Sequence, residues 1–261
     1  IHIPMKKMML VVYFFSLLHL SAQKGHTFFE PITEELGYRL IDSTEQNTLI
    51  CFGGWSTQKA WVENWAWELQ NARPSLKLRA IYAVKGPEDV FYKNNEIPLD
   101  SLYNHLIENE INTKIFVLAH SSGSFVAHKF FHTLMEKNAL FLLNKIDYYN
   151  LDGAMGSETP KTTITSKIAE QLNAVYAVYA TEEMSNLLSP NAEEMKKMVL
   201  LFPEKAACIE LRSDNSGCLD TWCVHELLIN AFPHNKNGFD LEKDYLHIDE
   251  EHPVTTQFLR D

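Results

Sequence analysis

The sequence predicts an α/β domain: a mostly parallel sheet with helices on both of its faces. Three observations carry this. Strand-like and helix-like segments alternate almost without interruption between residues 38 and 231, the pattern that crossover connections between parallel strands produce. No internal repeat or low-complexity linker divides the chain, and its 261 residues suit one domain with a proper core. At 115–119 an apolar run breaks at a small-residue turn and passes at once into a segment of helical spacing.

In chain order, residues 38–41 read as an early strand and 48–52 as a stronger one. A helix over 58–71 puts Trp61, Trp65 and Leu69 on one face, and the Trp and Phe content reads as core rather than as a cofactor box. Residues 76–84 are β-like and 99–110 helical. After the strand at 115, the helix carries Phe125, Val126, Phe130, Phe131 and Leu134 at helical spacing. Strands follow at 146–151 and 174–180, then a helix over 191–201 with Pro190 near its start. Residues 207–211 are the last convincing strand and 224–231 the next helix. The polar stretches 86–98 and 152–167 lack periodicity and follow strands, where an open α/β sheet builds site walls or a small lid.

The most informative segment is Ala119-His120-Ser121-Ser122-Gly123. It matches G-x-S-x-G, with Ala119 in place of the first glycine, in the strand, turn, helix context that a nucleophile elbow needs. The sharp turn pushes a serine hydroxyl out of the sheet, and only small side chains two residues before and after it avoid a clash. Ser121 has them on both sides; Ser122 and Ser124 do not. The Ser122 N–H, at the start of the helix, would point at a developing oxyanion. A serine-capped structural turn would look similar.

Residues 1–22 read as a signal peptide: a basic Met5-Lys6-Lys7, an apolar stretch and a Ser21-Ala22-Gln23 exit. Cleavage is expected after Ala22, although Leu20 departs from A-x-A, and residues 23–261 then form a single domain exported to a periplasmic or extracellular space. No later stretch is apolar enough to span a bilayer, so the mature chain is expected to be soluble. The net charge of −11, with no basic stripe, argues against nucleic acid as a partner. It leaves oligomeric state open. Cys51 sits in an apolar run and reads as a buried thiol. Cys208, Cys218 and Cys223 crowd together, and in an oxidising compartment Cys223 can pair with either of the others. Zinc is disfavoured by the lack of a C-x-x-C pair.

A nucleophilic serine needs a base, an orienting acid and oxyanion donors. With A-H-S-S-G, the Phe52-Gly53-Gly54-Trp55 turn and the order of elements in view, the chain resembles an α/β-hydrolase over nearly all of residues 23–261, with minimal or no cap domain. The resemblance implies a secreted serine esterase that cleaves a carboxylic ester through an acyl-enzyme, with no metal or organic cofactor. In that family the second of these strands often ends in His-Gly-X, and the N–H of X completes the oxyanion hole; by position this is Trp55, with Gly53 where histidine often stands. A Gly-Gly turn still lets backbone amides approach a ligand closely. The family order of nucleophile, acid and histidine points to His225, the first histidine after the last strand, with His234, His247 and His252 as competitors. Asp152, followed by Gly153 at a strand end, is the favoured acid. Glu182 and Glu183 end the next strand and stay open, with Asp214 and Asp220 further off. His120 reads as structural, projecting away from the nucleophile.

The expected substrate is a small-molecule or polymeric acyl ester, and the scant room for a cap favours accessible esters. Acyl transfer to an alcohol would use the same residues. A binding protein that keeps the fold without catalysis is the alternative outside enzymes. A metal site in the tail, from His225, His234, His247 and His252 with Asp249 and Glu250, lacks H-E-x-x-H spacing.

Overall fold

A computed structural model describes residues 29–72, 74–88, 97–111, 113–153, 164–180 and 185–211. Its strands are β1 (Glu30–Pro31), β2 (Leu36–Leu40), β3 (Asn47–Phe52), β4 (Leu78–Val84), β5 (Ile115–His120), β6 (Ile146–Leu151), β7 (Ala174–Ala180) and β8 (Ala206–Leu211). They form one sheet in the order β1-β2-β4-β3-β5-β6-β7-β8. β2 pairs antiparallel with β1 and β4; every pairing from β4 through β8 is parallel. The helices are α1 (Lys59–Ala72), α2 (Leu99–Glu108), α3 (Gly123–Glu136), α4 (Leu140–Leu143), α5 (Ser166–Gln171) and α6 (Ser185–Leu201), with a 3-10 turn at Pro74–Leu76.

Residues of even and odd number on the central strands separate into two cores, as the two-residue period of a strand requires. Ile50, Phe52, Val117, Ala119 and Tyr148 face α2 and α3 through Leu102, Leu106, Phe125, Phe130, Phe131 and Leu134. Leu49, Cys51, Phe116, Leu118 and Leu151 face α1 through Val62, Trp65, Ala66 and Leu69. β5 is buried at every position, which explains its unbroken apolar run. Each of these large side chains contributes about 1.5–3 kcal/mol by leaving water. Cys51 is a fully buried free thiol, and burial pushes its pKa up.

The strand order fixes where a site can form. From β3 the chain crosses to β4 on one side of it, over the face that α1 covers. It then returns through α2, over the opposite face, to β5 on β3's other side. The connections after β3 and β5 therefore diverge and leave a crevice at the carboxyl ends of these two strands.

Several elements differ from the sequence expectation. α6 begins at Ser185, not near residue 191, so Pro190 stands in its second turn and forgoes one intrahelical bond. A proline is best tolerated in a helix's first turn, so the sequence alone points to a helix start beside Pro190. α5 falls partly in the stretch expected to be irregular; its first turn is capped by Thr165, whose side chain accepts from the Ile168 N–H. α4 and the two-residue β1 are too short for periodicity to reveal. The expected helix at 224–231 and the expected leader at 1–22 lie outside the described residues. Among the described residues, no helix is long and apolar enough to cross a membrane.

Candidate active site

At the end of β5 the chain turns through Ser121, whose φ of 51° lies in the left-handed region. For a residue with a Cβ this costs roughly 1–2 kcal/mol, so the surroundings must impose it. They do so from both sides. The Ser121 N–H donates to the Leu151 carbonyl at 3.1 Å, extending the β5–β6 ladder by one residue. The Ser121 carbonyl then accepts from the Ser124 N–H at 3.1 Å and from Ser124 Oγ at 2.8 Å. Ser124 thus clamps the turn from inside the first turn of α3. Ser121 is half-buried while Ser122, Gly123 and Ser124 are buried, so the turn presents Ser121 toward solvent.

The small residues around it are explained by contact. A Cβ on Gly123 would lie 2.5 Å from the Phe52 carbonyl oxygen and 2.6 Å from that of Gly53, because the start of α3 rests directly on the end of β3. A Cβ on Gly54 would lie 3.2 Å from Ser121 Cβ and from His120 Nδ1. The turn after β3 therefore touches the Ser121 turn, across the crevice that the strand order opens. Its own shape is held against β4's end: Gly53 N–H donates to the Val84 carbonyl at 3.0 Å and Ser56 N–H to that of Pro87 at 2.8 Å.

Trp55 departs from the expectation that the tryptophans are core. Its side chain is 58% exposed, and its indole N–H donates to the Glu88 carbonyl at 2.9 Å. Trp61 and Trp65 do pack against the core. Among the described residues, neither the Trp55 nor the Ser122 backbone N–H donates to a backbone acceptor. His120 is buried with Nδ1 against Gly54.

Asp152 occupies the equivalent turn on the neighbouring strand. The register pairs His120 with Leu151, so Ser121 and Asp152 stand side by side, each one residue past its strand. Asp152 also has a left-handed φ, 44°, and its N–H donates to the Val178 carbonyl at 2.6 Å. It is 2% exposed, so its carboxyl group reaches solvent hardly at all. Gly153 follows because a Cβ there would collide with Asn150 and lie 2.8 Å from Ser124 Cβ. The Asp152 turn and the clamp on Ser121 are thereby in contact.

Other expected groups, namely His225 and its competitors His234, His247 and His252, the acids Glu182, Glu183, Asp214 and Asp220, and Cys218 and Cys223, lie outside the described residues. Cys208 is half-buried on β8. Among the described residues, no group of three or more His, Cys, Asp or Glu side chains could hold a metal ion. Sequence reasoning missed Ser124 as a clamp and Asn150, Tyr148 and His128 as a buried polar chain under the Asp152 turn. A serine three residues past the turn was the one readable signal.

An eight-stranded sheet in this order, which among the described residues is antiparallel only at β1 and β2, with a left-handed serine between β5 and its helix, is the α/β-hydrolase fold, and this chain has it. The solved structures it resembles agree. Carboxyl esterase 2 from the mycorrhizal fungus Tuber melanosporum superposes with a TM-score of 0.51 at 10% identity, covering 77% of this chain and 81% of that one. A structure from a study of two fungal esterases from Rhizomucor miehei gives 0.53 at 13% identity, covering 76% and 77%. No protein-family model and no curated protein matches the chain.

Proposed function

We propose that the chain is a serine esterase. The observation that carries this reading is Ser121, held at φ 51° at the carboxyl edge of β5, beside the turn after β3. Strain of this kind persists where a side chain must be presented, and neither the Ser122 nor the Trp55 N–H donates to a backbone acceptor among the described residues, which supports a role for them as oxyanion donors. That the fold's solved neighbours named above are esterases supports the choice of substrate class.

In this mechanism His225 removes the proton from Ser121 Oγ as the oxygen attacks the ester carbonyl carbon. Asp152 holds the imidazole in the tautomer that leaves Nε2 free to accept, and stabilises the imidazolium that forms. The Ser122 and Trp55 N–H groups bind the tetrahedral oxyanion. His225 then returns the proton to the departing alkoxide as the C–O bond breaks, leaving an acyl-enzyme. Water, deprotonated by the same histidine, attacks the acyl carbon and releases the acid and free Ser121.

Asp152 is preferred to Glu182 or Glu183 because it is buried one ladder position from Ser121. Hydrolysis of nitrophenyl esters of graded chain length, beside a Ser121→Ala control, tests the proposal; equal rates in the control would defeat it. Residues 1–22 are proposed as an export signal, which N-terminal sequencing of the secreted protein checks by a start at Gln23.

A further inference from the structure

Beneath the Asp152 turn runs a hydrogen-bond chain that the mechanism above does not use. Gly153 N–H donates to Asn150 Oδ1 at 2.8 Å, Asn150 Nδ2 donates to the Tyr148 hydroxyl at 3.0 Å, and that hydroxyl meets His128 Nε2 at 2.8 Å. Its direction follows from the backbone outward. A backbone N–H can only donate, so it must face the amide oxygen; the amide nitrogen then faces the phenol. The phenol already accepts from Asn150, so its one proton goes to His128 Nε2. Asn150, Tyr148 and His128 are all buried. Burial pushes the Tyr148 phenol up, which keeps it a neutral donor. Its ring is gripped edge-on by His128, at 5.5 Å between centroids, and by Phe131, at 5.0 Å.

Closing the turn would need no more than the Asn150 oxygen. Burying a phenol and an imidazole behind it adds desolvation cost, which a purely apolar filling would avoid. What the extra groups supply is orientation: the amide cannot rotate without breaking the chain. Asp152 stands between two pinned peptide groups, its own N–H on Val178 and the next N–H on Asn150. The far end of the chain, His128, lies on α3, the same helix that begins at the Ser121 turn.

We infer that Asn150 is a positioning residue for ester hydrolysis: locked by Tyr148 and His128, it holds Gly153 N–H and so aims the Asp152 carboxylate at the base. This rests on the proposed roles of Ser121 and Asp152. Hydrolysis of p-nitrophenyl acetate by the full-length protein tests it, with Asn150→Ala, Tyr148→Phe, Asp152→Ala and the double variants of each of the first two with Asp152→Ala. Asn150→Ala is expected to lower kcat roughly tenfold to a hundredfold with KM within about twofold, the signature of a misplaced catalytic group. Tyr148→Phe, which removes one oxygen and keeps the packing, should lower kcat in the same direction by about threefold to tenfold. In the Asp152→Ala background each should cost less than about twofold, because nothing remains to be aimed. Wild-type kcat in both single variants, a change confined to KM, or an undiminished loss with Asp152 absent would each overturn the inference. Should Asn150→Ala not fold, Tyr148→Phe in the two backgrounds decides it. Failure of the underlying acid assignment shows separately, as Asp152→Ala retaining full kcat with Asn150 intact.

Discussion

Gly123→Ala places a methyl group where the start of α3 rests on the end of β3, and the geometry sets the size of the effect. The added carbon would stand 2.5 Å from the Phe52 oxygen and 2.6 Å from the Gly53 oxygen. Both obstacles are backbone atoms of a central, fully buried strand end, so neither can swing aside. Helix and strand must separate by roughly 0.5–1 Å before the contact becomes tolerable, at a cost of about 1–3 kcal/mol for overpacking. Ser121 and Ser122 precede Gly123 directly, so this displacement reaches the proposed nucleophile and the proposed oxyanion donor together. A shift of that size is expected to lower kcat/KM on the order of a hundredfold. Urea unfolding gives the stability change and p-nitrophenyl acetate hydrolysis the rate. A variant within about 0.5 kcal/mol of wild type that keeps full activity would mean that the two turns are not in this contact.

Three further outcomes are expected. Trp55→Ala keeps the backbone N–H and should retain most of kcat, whereas Trp55→Pro removes the donor and should lose about 10²–10³-fold; equal kinetics in the two variants would remove Trp55 from the oxyanion hole. Asp152→Ala should lower kcat by on the order of 10⁴, while Glu182→Gln and Glu183→Gln stay near wild type; the reverse ranking would move the acid to the end of β7. Cys51, Tyr82 and Tyr148 all have their pKa raised by burial, so the native state keeps protons that the unfolded chain releases. Their contribution is complete below the unfolded values, about 8.5 for the thiol and about 10 for the phenols, and is lost as pH rises toward the folded values. Urea midpoints should therefore fall between about pH 9 and 11, and a flat profile there would contradict the burial of these groups.

The parts of this fold that were legible in the sequence are those whose cause is local. β5, the Ser121 turn and α3 follow one another without a gap, and the glycine at 123 stands where contact leaves no room. β6 and β7 were legible to their exact bounds because apolar runs end at turn residues. The start of α6 was not, because its proline suggested a boundary that the helix does not observe. Composition assigns indoles in general to the core, whereas the turn after β3 places that of Trp55 at the surface with its N–H on Glu88. The polar chain from Gly153 to His128 had no sequence signature. His128 and Tyr148 are twenty positions apart and meet because α3 packs back over β6. Asp152 was readable as a candidate from its Asp-Gly strand end, but its ladder position beside Ser121 comes from strand order, which spacing does not reveal.

The strained turn after β5 is expected to present an activated nucleophile. Reaction of the full-length protein with a fluorophosphonate, followed by mass analysis of the peptide containing residues 119–123, tests it most directly. One phosphonyl group on Ser121, its loss in Ser121→Ala, and loss of esterase activity in step with labelling are expected. An unlabelled protein, or a label that persists in Ser121→Ala, would contradict it.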